Sequence, residues 1–182
     1  MAGIYYSTRY SSPVGELTLV ADTQSLVSLW LPSQKYYNTS ISERSAEKPD
    51  LPLFAIIKTW LDHYFGGQPD PISILPLAPS GSPFRLLVWR KLTEIPYGEV
   101  TSYGAIARQL AMEMGKSKIA AQAVGGAIGH NPISIIIPCH RVIGSDGSLT
   151  GFGGGIQTKW SLLELEGLDM SKFYIPKKGT AL

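Results

Sequence analysis

One cysteine in 182 residues, Cys139, is the scarcest chemical resource of this chain. A lone cysteine excludes an intrachain disulfide, a four-cysteine zinc site and a redox cycle with a resolving partner. Charge is also scarce: 16 % of residues are charged and the formal net charge is +2, a sum too small to announce a polyanionic partner. No apolar run approaches the roughly 18 residues that a bilayer span needs. The opening residues Met1 to Arg9 lack the charged-then-apolar order of a secretory signal. These absences predict a cytoplasmic protein with no membrane partner.

What is plentiful is apolar material, 44 % of the chain, which excludes disorder over most of its length and suffices for one generous domain or two small ones. The charge is unevenly spread: residues 1–81 carry net −2 and residues 82–182 net +4. The second half is the candidate for meeting phosphate, although ordinary scatter also accounts for an asymmetry of this size.

Three alternating runs, Tyr6–Tyr10, Glu16–Ala21 and Leu26–Leu31, separated by turn residues at Pro13-Val14-Gly15 and Asp22-Thr23-Gln24, predict a three-stranded antiparallel meander. Ser33 to Asp50 reads as a long surface loop. Leu53 to Phe65 has helical spacing and stops at Gly66-Gly67, giving the sheet a covering helix. The proline-rich stretch Gln68–Gly81 has the composition of a linker, so the boundary falls near residue 80: an N-terminal α/β domain over 1–80 and a C-terminal domain over 81–182.

The second domain opens with Ser82 as a cap and Pro83 at the first helical position, followed by an apolar face from Phe84 to Leu92. Thr101 or Ser102 caps a short helix over Tyr103–Ala111. After a turn at Met112–Lys116, Ser117 is placed to cap a helix running to about Ile128, lined with Ala120, Ala121, Ala123, Gly125 and Gly126. Two short helices, the second with very small side chains, fit a helix-turn-helix that lets a surface approach closely; close helix packing in a core selects the same residues.

The isoleucine-rich run Ile133–Ile137 predicts a buried strand ended by Pro138, so that Cys139 and His140 emerge at its tip. A cysteine is commonly just a small buried hydrophobe. Here His140 and Arg141 beside it can both stabilise a thiolate, and a thiol of pKa about 8.5 needs such help at neutral pH. A histidine base needs an orienting group on its far ring nitrogen. Downstream of the glycine-rich loop Gly144–Gly155, a helix from about Ile156 to Glu166 carries two acids near its end, Glu164 and Glu166, either of which reads equally as a solvated surface residue. His63 reads as a structural residue on its helix and His130 as a turn residue.

Pro138-Cys139-His140-Arg141-Val142, preceded by Asn131-Pro132 and the isoleucine run, with Ala123-Val124-Gly125-Gly126-Ala127 before and the glycine loop and Glu166-Gly167 after, resembles the O6-alkylguanine-DNA alkyltransferase family. The likeness runs from about Ser82 to Gly167; the N-terminal region matches only in its strand and helix pattern. The resemblance implies a ribonuclease H-like N-terminal α/β domain and a C-terminal winged helix-turn-helix-like DNA-binding domain. It implies irreversible, single-turnover transfer of an alkyl group from O6 of guanine to Cys139, and leaves open whether O4-alkylthymine is accepted as well. His140 would be the base acting through a water, Glu166 its orienting group, Asn131 the brace of the turn, and Tyr103 the hydroxyl serving the flipped base. Val142, Phe152, Gly153 and Gly154 would contact that base. Double-stranded DNA would be bound through the minor groove by Ser102, Gly104, Ser117, Lys118, Ala121, Gln122, Ala123, Gly125, Arg141 and Ser145, the protein acting as a monomer without cofactor or metal.

Three departures from the family pattern stand out. Gln122 occupies the place of an arginine that fills the vacated base stack, which implies weaker extrusion of the nucleotide. Phe152 stands where a tyrosine is common, removing a hydroxyl, and the turn of the helix-turn-helix is slightly long for the family. Two other classes compete: a non-catalytic binder of alkylated DNA, against which the intact Cys139 and His140 argue, and a cysteine hydrolase, which would need an oxyanion hole and would turn over.

Overall fold

The computed structural model describes residues 4–32, 34–35, 41 and 43–177. The chain forms two compact units, residues 1–80 together with 132–136, and residues 81–131 together with 137–182.

In the first unit, β1 (Tyr5–Ser12), β2 (Gly15–Ala21) and β3 (Leu26–Trp30) form the expected antiparallel meander. Alternation places Leu17 and Leu19 of β2 in the core with no exposure. Gly15 makes the first hairpin possible: its φ is 107°, and a Cβ there would lie 2.8 Å from Pro32. The sheet has a fourth member that the sequence reading assigned to a loop. β4 (Ser45–Glu47) pairs parallel with β1, giving the order β3-β2-β1-β4. It is three residues long, partly exposed and without alternating hydrophobicity, so backbone pairing alone defines it. Residues 33, 36–40 and 42 of the same predicted loop lie outside the described residues.

α1 (Pro52–Phe65) buries Leu53, Phe54, Ile57, Trp60, Leu61 and Tyr64 along one stripe. At roughly 1.5–3 kcal/mol for each large side chain, that face is the main favourable contribution of the helix. The predicted linker is only partly a linker. Leu26 N–H donates to Pro76 O (2.8 Å) and Ala78 N–H to Leu26 O (2.9 Å), so residues 76–78 cover one end of edge strand β3.

The isoleucine run is buried as expected, but it is not a strand. Ile133 makes a single bridge to Leu29, Leu29 N–H donates to Pro132 O (2.9 Å) and Ser134 N–H to Leu29 O (3.0 Å), after which the backbone turns. Ile135 has φ 70°, a left-handed conformation that costs a β-branched residue about 1–2 kcal/mol and that no strand adopts. Its burial is complete. The apolar composition therefore reflects burial of a tight loop on β3 rather than sheet pairing.

The second unit begins with α2 (Pro83–Thr93), capped by Ser82, whose hydroxyl accepts from Arg85 N–H. Trp89 on its buried face donates from Nε1 to Ala127 O (2.8 Å). β5 (Thr101–Ser102) leads into α3 (Tyr103–Glu113), and Ser102 is its cap. α4 spans Ala121–Gly129, starting later than predicted: its N-cap is Ala120, with no side-chain cap, and Ser117 plays no part in one. The connection from α3 thus runs over Met114–Ala120, longer than the tight turn expected. After a 3-10 turn at Cys139–Arg141, β6 (Val142–Ile143) pairs parallel with β5. α5 (Ile156–Leu165) closes a core of Ile143, Leu149 and Leu163 packed with Val100, Trp160 and Phe173. No helix among the described residues is long and apolar enough to cross a membrane.

Candidate active site

Cys139 opens the 3-10 turn, and local backbone bonds fix it: Cys139 N–H donates to Ile137 O (2.8 Å) and Arg141 N–H to Pro138 O (3.0 Å). Asn131, at the far side of the isoleucine loop, donates from Nδ2 to Ile137 O (2.8 Å), tying the residue after His130 to the approach to Cys139. Cys139 is 4 % exposed and His140 has no exposure at all. A rigid, nearly dry turn therefore carries the thiol.

Glu166 resolves the choice between the two acids: Glu164 is exposed, whereas Glu166, the C-cap of α5, is buried. Its Oε1 lies 2.6 Å from His140 Nε2. The same carboxylate accepts from Arg141 Nε (2.9 Å to Oε2) and Nη2 (3.1 Å to Oε1), and from Gly98 N–H (3.0 Å). Gly98 is at φ 75°, in the turn after α2, and this backbone conformation aims its N–H at the carboxylate. Burial alone would raise the Glu166 carboxyl, but the His140 and Arg141 contacts outweigh it and bring its pKa down to about 2. Burial lowers the His140 pKa despite the opposing pull of Glu166. With Glu166 ionised and already accepting from Arg141, His140 donates from Nε2, which makes Nδ1 the basic nitrogen.

The family resemblance places Arg141 among the DNA contacts. Its side chain is instead buried, held by Glu166 and by donation from Nη1 to Ile95 O (2.6 Å) and lying 5.7 Å from the Tyr97 ring centre. Ser102 likewise spends its hydroxyl on capping α3.

Tyr103 reaches the loop after β6: its hydroxyl lies 2.9 Å from both Thr150 O and Gly151 O and donates to these carbonyls. Its pKa is raised, chiefly by burial and also by the charge of Cys139, so it holds its proton. Phe152 packs edge-on against His140, ring centres 6.5 Å apart, with Gly153 and Gly154 half-buried beyond it. Val142 O accepts from a residue the sequence reading missed, Lys159 Nζ, at 2.5 Å. The signal was present: Lys159 falls on the stripe with Leu162, Leu163 and Glu166 that faces inward on α5.

Tyr103, Gln122, Gly125, Gly126, Thr150 and Gly151 line a cleft of about 520 Å³. Ala121, Gln122 and Ala123 are exposed on α4, so that face offers backbone and small side chains to a partner, while Ser145 is exposed beyond β6. Beside the cleft, Arg108, Lys116 and Lys118 rim a groove of about 410 Å³ that also takes in Gly104 and Ser117. Among the described residues no cluster of His, Cys, Asp and Glu is arranged to hold a metal ion.

The sequence profile of the 6-O-methylguanine DNA methyltransferase ribonuclease-like domain matches residues 4–79, and that of the 6-O-methylguanine DNA methyltransferase DNA binding domain matches residues 83–168. The chain is 42 % identical over 166 residues to a methylated-DNA–protein-cysteine methyltransferase of Haemophilus influenzae, covering 91 % of this chain and 88 % of that one. It is 44 % identical over 163 residues to the Mycobacterium bovis protein of the same name, covering 90 % and 92 %. Its fold matches that of Mycobacterium tuberculosis OGT in complex with DNA with a TM-score of 0.77 at 40 % identity, covering 92 % of this chain and 94 % of that one. From residue 4 to residue 168, in both domains and around its one cysteine, this chain belongs to the methylated-DNA–protein-cysteine methyltransferase family.

Proposed function

We propose that this protein repairs double-stranded DNA by taking the alkyl group of O6-alkylguanine irreversibly onto Cys139. The observation that carries the reading is the buried relay Glu166–His140 beside the cysteine, at 2.6 Å, with Arg141 holding the carboxylate ionised. His140 Nδ1 accepts the thiol proton through a water. The thiolate sulfur forms a bond to the alkyl carbon while the bond from that carbon to guanine O6 breaks, and the departing purine is protonated. Tyr103, which keeps its proton, is the donor toward the base when it exchanges its loop carbonyls for guanine N3.

O6 lies inside the base stack, so the nucleotide must first be rotated out, at a cost of a few kcal/mol. The exposed small residues of α4 suit entry into the minor groove, and Arg108, Lys116 and Lys118 suit phosphate contacts that do not depend on sequence. Val142 and the Phe152–Gly154 loop then receive the base. A thioether is a poor leaving group and the chain has no second cysteine to displace it, so each chain acts once. A free thiol that must stay reduced fits the cytoplasm. The test is single-turnover reaction with a duplex carrying O6-methylguanine with a labelled methyl: label is expected on the peptide containing Cys139, and none in Cys139→Ser. Label retained by Cys139→Ser, or turnover beyond one per chain, overturns the proposal.

A further inference from the structure

The cleft beside α4 does not reach the thiol. Tyr103, Gly125, Thr150 and Gly151 are among the residues that line it, whereas Cys139 does not line it and is only 4 % exposed. No purine meets the sulfur unless part of this wall moves. The segment Thr150–Gly155 is the part that covers the Cys139–His140 turn, because Phe152, itself buried, lies edge-on against His140. Four of its six residues are glycine, and two of these, Gly151 at φ 75° and Gly155 at φ 90°, hold left-handed backbone at its two ends. Its flanks are fixed: Leu149 N–H donates to Tyr174 O (3.0 Å), and Gly155 is the N-cap of α5.

Two side chains from outside the segment fasten it. The Tyr103 hydroxyl lies 2.9 Å from both Thr150 O and Gly151 O, and Lys159 Nζ donates to Thr150 O (2.9 Å). The two fastenings differ in what can reach them. Lys159 is fully buried and also donates to Val142 O, so it stays in place. Tyr103 stands in the cleft wall, with Gly125 of α4 close over its ring: a Cβ there would lie 3.7 Å from the ring. When the phenol leaves, Thr150 O keeps its Lys159 donor, and water entering the opened segment satisfies Gly151 O. Release of the hydroxyl is thus the low-cost way to free the segment.

We propose that Thr150–Gly154 is a lid over the Cys139–His140 turn with the Tyr103 hydroxyl as its catch, and that Tyr103 thereby selects for ligands that offer this hydroxyl another acceptor. A flipped purine does so with N3, a clause that rests on the proposed function. An electrophile without such an acceptor waits for spontaneous opening. In a chain that acts once, the lid keeps the sulfur from being spent on bystander alkylating agents.

The lid is tested without DNA, using methyl iodide, so its failure is distinct from failure of the proposed function. The Cys139 sulfur displaces iodide to give S-methylcysteine, which peptide mapping quantifies. Tyr103→Phe keeps the ring and removes the catch. At the high-pH plateau of the rate, where the thiol is fully ionised in both proteins, Cys139 of the variant should be methylated about twofold to tenfold faster than that of wild type, the range one neutral hydrogen bond commands. Transfer from an O6-methylguanine duplex should fall in the same variant, because the donor toward N3 is gone. An equal or lower plateau rate with methyl iodide overturns the proposal. A second measurement needs no variant: opening of a lid exposes little surface, so the wild-type rate should stay nearly flat in urea well below the unfolding transition. A rate that climbs with the slope of global unfolding overturns the lid.

Discussion

Replacing Glu166 by glutamine keeps the shape of the side chain and removes its charge, which makes Glu166→Gln the sharpest perturbation of the relay. In the fold this carboxyl moves from 4.5 to about 2. A carboxyl depressed on folding contributes stability that is fully present above about pH 4.5 and lost as the pH falls toward 2; a shift of this size is worth about 3 kcal/mol. Glutamine forfeits that term and leaves the Arg141 guanidinium buried without an anion, a situation that typically costs about 3–5 kcal/mol. The two figures describe one interaction and do not add, so about 3–4 kcal/mol is expected in urea unfolding at pH 7. The gap to wild type should narrow on acidification. Removing Arg141 as well, in Glu166→Gln/Arg141→Met, should restore part of the loss. Chemistry suffers separately. With its amide oxygen toward Arg141, the glutamine turns its NH2 toward His140 Nε2, forcing the proton to Nδ1 and abolishing the base; a loss on the order of 10⁴ accompanies such a tautomer switch in a hydrolytic triad. Single-turnover methyl transfer measures this directly. A variant within 0.5 kcal/mol (about the scatter of neutral surface substitutions) of wild type that also transfers at the wild-type rate refutes the relay.

At Ile135 the usual order of substitutions should invert: Ile135→Gly should unfold at higher urea than Ile135→Ala, by about 1 kcal/mol, because only glycine adopts φ 70° without cost, and the reverse order denies the strain. Gln122→Arg should speed repair of duplex substrate and leave the reaction with free O6-alkylguanine unchanged, as expected if the residue acts on extrusion; equal rates on duplex contradict this. Lys159 is depressed to about 7 in the fold from 10.5, so the unfolded chain binds more protons between those values and stability should rise from pH 7 toward 10. Lys159→Met should flatten that rise in urea midpoints measured across this range; an equal slope in both proteins removes Lys159 as its source.

Much of this architecture was legible because local chemistry and global packing agree. Ser82 and Ser102 announce α2 and α3 as caps and do cap them. The meander follows from alternation, and the stripe of α1 from its spacing. Cys139, His140 and Glu166 carry their own chemical signal. β4 was hidden because a three-residue edge segment has no pattern of its own and is defined by a partner strand distant in sequence. The isoleucine run misled because burial on β3 and pairing within a sheet select the same side chains, and only the backbone angle at Ile135 separates them. Ser117 offered a cap that the chain does not use, since α4 starts at Ala121. Arg141 and Lys159 were obscure for a common reason: a base in a sequence reads as surface until its partners, Glu166 in one case and two carbonyls in the other, are brought to it by the fold.

The central claim is that the sulfur of Cys139 keeps what it removes from guanine. Intact-mass measurement after exposure to excess O6-methylguanine duplex tests it most directly. The account predicts that every active chain gains the mass of one methylene, localised to Cys139, and goes no further. An unmodified chain accompanied by repaired DNA, or a gain that maps to any other residue, contradicts it.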